Sequence, residues 1–364
     1  MFFVLAIIVG IPQVNAQVTN LGISTVRGQY LLYWPANPPN YILQSTTNAA
    51  APKWTTVPYQ VQVAACTVTN HPAESFRLVY TNPPPDMVLI PAGSFLMGNA
   101  IGDGDFTDAE PTNVYVSAFF MDVNLVDLDI WQAVYTFATA FDGYVFDHPG
   151  VGIGTNFPVR SLSWYDCVKW CNARSQEAGL TPAYYTDARF TQVYKVGDVD
   201  AVYVNWAANG FRLPTEAEWE KAARGGLSGL RFPWGNLISE YQANYSGWPS
   251  GQNYDWGPVG QNFLAPDGTT TPVGSFDVNG YGLYDMAGNV LEWCWDWYAT
   301  PYGQPTTTNP TGPRLEPELG WRVARGGFYG GDAFYSRCAY RYPYNPYDPN
   351  NPPYGFGLRC VRGL

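Results

Sequence analysis

Residues 322–364 read RVARGGFYGGDAFYSRCAYRYPYNPYDPNNPPYGFGLRCVRGL. Between Phe328 and Phe356 this stretch holds ten aromatic residues, seven of them Tyr, and five prolines, with Asp332, Asn345, Asp348, Asn350 and Asn351 interleaved. Tyrosine offers a rigid flat face and one hydroxyl at low entropic cost. Proline pre-orders a loop, which lowers the cost of ordering it on binding. Such a segment suits a sugar ring or a protein partner, and its ligand-facing candidates are Tyr329, Asp332, Phe334, Tyr335, Tyr340, Tyr342, Tyr344, Asn345, Tyr347 and Asp348. The competing reading is a Tyr/Pro coil packed over a sheet, because aromatic side chains bury readily.

Around that segment the chain of 364 residues is acidic, with net charge −11. Nucleic-acid binding is disfavoured, since phosphate contacts need clustered Lys and Arg, and so is docking on an anionic membrane. With 37 Gly, 31 Pro and 16% aromatics, the composition predicts a loop-rich globular protein with ample apolar burial. The first residues, MFFVLAIIVGIPQVNAQ, are apolar from Phe2 to Val9, and Val14-Asn15-Ala16 fits a small-x-small cleavage site. Residues 1–16 are therefore expected to be a signal peptide, although the usual leading Lys or Arg is missing. No stretch is long enough to span a bilayer, so a secreted, periplasmic or extracellular location is expected, where disulfides are permitted.

Residues 17–82 alternate as short strands and predict a small sandwich-like β-domain, followed by a stiff Pro-rich linker at 83–86. The rest, 87–364, reads as one large domain. MVLIPAGSFLMG predicts an opening hairpin and VYVSAFFMDVNLV a second strand pair. Three helices are legible from their starts and stops. One begins near Asp127; one is capped by Ser163 with Asp166 and stops at Gly179; one is capped by Thr215 with Glu218 and stops at Gly225.

Seven strings occur in order: MVLIPAGSFLMG, FPVRSLSWYDCVKWCN, GFRLPTEAEWEKAARGG, FPWGN, PVGSFDVNGYGLYDMAGNVLEW, RVARGGFY and GFGLRCV. Together they resemble the formylglycine-generating, sulfatase-modifying family across residues 87–364. The resemblance implies an α+β, loop-rich fold, the formylglycine-generating-enzyme variant of the C-type lectin fold, here preceded by the small all-β domain. The family's active oxidases hold Cu(I) with two thiolates, soft ligands suited to that ion. At those two positions this chain has Gly331 and Ser336, and Phe328 stands where the active enzymes have a small serine. The family's iron branch needs several histidines, and this chain has only His71 and His148. Neither copper nor iron is expected.

Six cysteines allow 15 complete pairings. The resemblance implies a bridge from Cys171 to Cys360. It also places Cys338 at a bridged position whose usual partner is Ala223 here, so Cys294 is the expected replacement partner. Two structural Ca²⁺ sites are implied by position: Asn244, Tyr245, Asp267 and Thr269, and Asp285, Gly288, Val290 and Glu292. The acidic loop with Asp103, Asp105, Asp108 and Glu110 lacks EF-hand spacing and reads as a solvated loop. The leading expectation is thus a secreted, calcium-stabilised recognition protein for a glycan or an extracellular protein. The alternatives are an oxidase of sulfatase cysteine with an unusual site, and a structural subunit that self-assembles.

Overall fold

The computed structural model describes the strands between residues 22 and 80 by their backbone. From residue 83 it describes all but 105–106, 200, 248–251, 258–268, 301, 303–306, 314–319 and 349–354. The expected leader lies outside the described residues. In the N-terminal region, β1 (Gly22–Val26), β2 (Gln29–Tyr33) and β5 (Ala65–Val68) form one antiparallel sheet, and β3 (Tyr41–Thr46), β4 (Thr55–Thr56) and β6 (Ser75–Tyr80) form another.

Beyond residue 83 the fold is α+β and rich in coil, as expected. The opening departs from the expected pair of hairpins. β7 (Met87–Ile90) does not pair with β8 (Gly93–Met97), nor β9 (Thr112–Val116) with β10 (Phe119–Asp122). Instead β8 pairs with β9 and β7 with β10 in one unbroken register, Gly93 opposite Val116 and Ile90 opposite Phe119. The four strands are one long antiparallel ribbon, interrupted where Pro91 has no N–H to give the ladder. β10 also pairs with β17 (Val361–Arg362), which brings the chain's end beside its ribbon.

The three helices sit where their caps predict. α1 (Leu128–Phe141) starts at N-cap Asp127, whose side chain accepts from Ile130 N–H. α2 (Trp164–Glu177) starts at Ser163, which accepts from Asp166 N–H. α3 (Glu216–Ala223) has a complete capping box between Thr215 and Glu218. α1 packs on α2 through Trp131 and Trp170, stacked with centroids 5.2 Å apart and planes 7° from parallel. Burying an apolar side chain of this kind stabilises by about 1.5–3 kcal/mol. After a short pair, β11 (Tyr184–Tyr185) and β12 (Tyr203–Val204), the second large sheet runs β15 (Tyr342–Tyr344), β14 (Arg322–Arg325), β13 (Leu291–Trp297), β16 (Phe356–Gly357). Alternation along β13 sends Trp293 toward the α1–α2 core and Cys294 toward the α3 core.

Helix α3 is buried along its whole length, although it carries Glu216, Glu218, Glu220 and Lys221. The carboxylates are neutralised by arginines, several of them from the C-terminal stretch. Arg341 grips Glu216 with two hydrogen bonds of 2.6 and 3.0 Å. Arg325 donates to Glu220, which also accepts from Arg224 at 2.7 Å and Gly98 N–H at 2.7 Å. Lys221 is held by the carbonyls of Gly93 and Val116, tying α3 to the ribbon. The acidic loop is likewise not solvated at Asp103, which pairs with Arg231 at 3.0 Å and Arg337 at 2.8 Å.

Burial pushes the Glu220 carboxyl up, but Arg224, Arg325 and the Gly98 N–H outweigh it and hold the group below its ordinary value. A carboxyl depressed in the folded state adds stability above its unfolded pKa and loses it as pH falls through the folded one. Glu220→Gln is therefore expected to cost about 3–5 kcal/mol at neutral pH, the usual loss when one partner of a buried pair is removed. It should also flatten the acid limb of the stability curve. Urea unfolding at a series of pH values checks both; a wild-type acid limb in the variant would refute the assignment.

Candidate functional site

Leaving β14, the chain turns through Gly326 and Gly327, both with left-handed φ (95° and 76°), and runs through the segment where the family's oxidases keep their thiolates. A Cβ built on Gly331 would stand 2.9 Å from Cε1 of Phe328 and 3.0 Å from Cδ2 of Tyr335. Real Cβ contacts are not that short, so the two rings leave no room for a side chain at Gly331. Ser336 is fully buried under Gly327, where a Cβ would lie 2.6 Å from its Oγ. Phe328 is itself buried, with its ring 5.7 Å from Tyr335 and edge-on to Tyr342 at 6.4 Å.

The candidate ligand-facing side chains form a connected band. Phe334 meets Tyr340 at 4.9 Å, Tyr340 meets Tyr335 at 5.2 Å, and Tyr344 meets Phe356 at 4.7 Å, with Tyr342 touching Tyr335, Tyr340, Tyr344 and Phe356. Tyr329, Phe334, Tyr335, Tyr340, Tyr342 and Tyr344 are half-buried, each turning part of its ring outward. Asp332 shapes the loop by accepting from Phe334 N–H at 3.0 Å. Asn345 is exposed and accepts from Tyr347 N–H at 3.0 Å, next to half-buried Asp348. Tyr347 is 44% exposed and leans on Tyr165 at 4.8 Å. Tyr342 and Tyr344 lie within β15 with their rings against Phe356, whereas Asn345 and Tyr347 are exposed beyond it.

The two expected calcium sets converge into one knot of loops. Asp285, Gly288 and Asn289 take left-handed φ of 55°, 79° and 65°, curling the DMAGNV segment back onto Asn244. A Cβ on Gly288 would meet the Asn244 carbonyl oxygen at 2.2 Å, so only glycine fits there. Asn244 joins the second loop by donating to the Thr269 carbonyl at 2.9 Å, while the Tyr245 hydroxyl donates to Asp255 at 2.6 Å. Asp267 lies outside the described residues.

Asp285 fits a hard cation. It is 6% exposed, its Oδ2 accepts from Gly274 N–H at 2.8 Å, and its Oδ1 is buried with no donor among the described residues. Burial pushes its carboxyl up to about 6. Asn124, which sequence reading passed over, turns a second such oxygen toward Gly274. Its Oδ1 is also buried without a donor among the described residues and would lie 3.2 Å from a Cβ there. The Tyr284 N–H to Val123 carbonyl bond, at 3.0 Å, sets the two segments side by side. Buried oxygens normally find a partner, and oxygen ligands suit Ca²⁺. Glu292 fits less well. Arg359 takes both of its oxygens, at 3.0 and 3.2 Å, and Trp219 donates to it at 2.9 Å. Val290 is buried, and only its carbonyl could serve. Among the described residues no three His, Cys, Asp or Glu side chains cluster to hold a metal ion, so a cation here would lean on amide and carbonyl oxygens.

Neither of the two expected disulfides is bonded in this structure. Cys171 and Cys360 face each other with Sγ atoms 3.6 Å apart, as free thiols. Cys294 and Cys338 share the α3 core cluster but are free as well, so the expected bridge between them is not formed. Burial pushes both thiols upward, away from the reactive thiolate.

Among the described residues no helix is long and apolar enough to cross a membrane. The profile of the sulfatase-modifying factor enzyme 1-like domain matches residues 73–364. The chain is 35% identical over 303 residues to the formylglycine-generating enzyme of Bos taurus, covering 77% of this chain and 75% of that protein. It is 31% identical over 286 residues to "Chaperone protein LppX" of Paenibacillus barcinonensis, covering 76% and 89%. Among solved structures it is similar to Treponema denticola variable protein 1, with TM-score 0.57, 28% identity and coverage of 76% and 95%. It is also similar to CarF, with TM-score 0.56, 27% identity and coverage of 77% and 99%. With this breadth of match, and with the ribbon, the capped helices and the Gly-Gly turn all in place, the chain belongs to the formylglycine-generating, sulfatase-modifying family and has its C-type-lectin-like fold.

Proposed function

We propose that this chain is a non-catalytic member of its family, a secreted recognition protein that binds a glycan or an extracellular protein through the aromatic band of its C-terminal stretch. The observation that carries the reading is the filled centre. Phe328 and Tyr335 crowd Gly331, and Gly331 and Ser336 stand where the resemblance expects the two thiolates. A hydroxyl is a poor ligand for Cu(I), which soft sulfur selects. Around that centre the outward faces of Tyr329, Phe334 and Tyr340, with exposed Asn345 and Tyr347, supply flat contact area and hydrogen-bonding groups. The leader-like start supports secretion. The buried, undonated oxygens of Asp285 and Asn124 support a structural Ca²⁺, for which the Gly288 and Val290 carbonyls are the further expected ligands.

Incubation with Cu(I) and a cysteine-containing sulfatase peptide tests the central claim, and peptide aldehyde would overturn it. Gly331→Cys with Ser336→Cys is expected to bind Cu(I) poorly while Phe328 remains, and to bind it stoichiometrically once Phe328→Ser is added. Tight binding by the two-site variant alone would show that the ring is no barrier.

An unbiased glycan and protein pull-down with the full chain identifies the ligand, and Tyr347→Ala should weaken that capture while changing stability by less than about 0.5 kcal/mol. Tyr342→Ala should instead cost about 2 kcal/mol, because its ring is packed on five others. EDTA is expected to lower the melting temperature, and Asp285→Ala to remove that response; an unchanged transition in EDTA would exclude the calcium.

A further inference from the structure

Eight of the described arginines pair with a carboxylate. Arg160 does not. Among the described residues its guanidinium meets no acid, hydrogen-bond acceptor or ring, although its Nε is buried. Arg362 has a similar orphaned Nε but lies over the ring of Phe211, 5.7 Å away. A buried polar group without a partner is costly and uncommon. The next residue is unusual too. Ser161 takes a left-handed φ of 62°, rare for a residue with a side chain, and its hydroxyl bonds nothing among the described residues.

Both residues border the aromatic band. Arg160 exchanges two backbone hydrogen bonds of 2.9 Å with Val151 on one side. On the other, its stem crosses Gly355, where a Cβ would lie 2.7 Å from the arginine Cβ and 2.9 Å from its Cδ. Gly355 precedes Phe356, on whose ring Tyr342 and Tyr344 pack. The segment that follows Arg160 is laced to the C-terminal stretch. Leu162 N–H donates to the Phe356 carbonyl at 3.1 Å, and Trp164 N–H to the Pro346 carbonyl at 3.0 Å. Arg160 thus stands at one end of this seam. The turn from Asn345 to Asp348 stands at the other, beside Trp164, which is at most about 14 Å of chain from Arg160.

We propose that Arg160 anchors the ligand of the band through a carboxylate, and that this ligand is an acidic glycan whose rings lie on the tyrosines and whose uronic- or sialic-type acid meets the guanidinium. The inference rests on the band being a ligand site. A planar guanidinium matches a carboxylate with two parallel N–H···O bonds, and the Ser161 hydroxyl is a further donor next to it. Charge limits the number of acid groups. The chain carries −11, and the band has Asp332 and Asp348 of its own. A dense polyanion is repelled by these, whereas a sugar chain with one carboxylate sets it at Arg160 and turns its hydroxyls to Asn345 and Asp348. An acidic peptide fits less well. The edge strand of the sheet here, β15, is three residues long with Pro343 at its centre, which makes a poor template for an added strand.

Binding of the full chain to immobilised oligosaccharides that carry a uronic or sialic acid, set beside the same sugars as methyl esters, tests the proposal. The ester keeps the ring and removes the charge. The acid form should bind at least about tenfold more tightly, as one charge-assisted hydrogen bond provides. Arg160→Gln should abolish that preference while ester binding and melting temperature stay unchanged, and Arg160→Lys should keep part of it. Tyr347→Ala should weaken acid and ester alike. Equal binding of the two forms, or a preference that survives Arg160→Gln, overturns the inference; the band still stands as the ligand site if Tyr347→Ala weakens capture. Retention of acidic peptides and of no sugar also overturns it.

Discussion

Glu216 and Glu220 are completely buried on α3, and carboxylates there are tolerated only because guanidinium groups reach them. Two of those groups, Arg325 and Arg341, come from the C-terminal stretch, as do the other fully buried arginines, Arg337 and Arg359. The stretch has few ladder hydrogen bonds of its own and long irregular turns, so it cannot hold its shape by backbone pairing. The arginines do that work. Arg359 alone links Glu292 to the carbonyls of Asp122, Val123 and Tyr284, tying the end of the chain to β10, β13 and the DMAGNV loop. Replacing such pairs by apolar residues is often neutral, whereas breaking one is costly. The arrangement therefore specifies one geometry for a segment that could otherwise collapse in many ways.

That geometry separates scaffold from chemistry. The family's framework is intact around the Gly326-Gly327 turn, and the segment that follows it is packed with phenyl and phenol rings. The same rings continue outward as the aromatic band. Tyr335 and Tyr342 contact Phe328 on one side and half-buried Tyr340 and Tyr344 on the other, so the packing around Phe328 and the band are continuous.

The helices were legible in the sequence because caps are local: Asp127, Ser163 and Thr215 each mark a start within a few residues. The family strings carried the fold. What sequence reading missed was non-local. MVLIPAGSFLMG looks like a hairpin, but its two strands pair with β9 and β10 further along the chain and not with each other, and no local signal states that. Nothing local in the sequence announces the roles of Arg325, Arg341 and Arg359, because their carboxylate partners lie on α3 and β13. Asn124 carried no motif; only its burial beside Gly274 reveals it. The tyrosines were read as one class, and the sheet register divides them, with Tyr342 and Tyr344 in β15 and Tyr347 beyond it.

The placement of β10 between β7 and β17 has a mechanical consequence. Both neighbours run antiparallel to β10 and so parallel to each other. The chain enters the domain at the start of β7 and leaves it just after β17. A pull between the N-terminal strands and the C-terminus therefore loads these ladders along the strand direction, so that their hydrogen bonds must yield together and not one at a time. A domain tethered by its two ends in this way resists extension where a hairpin opened from its tip would unzip.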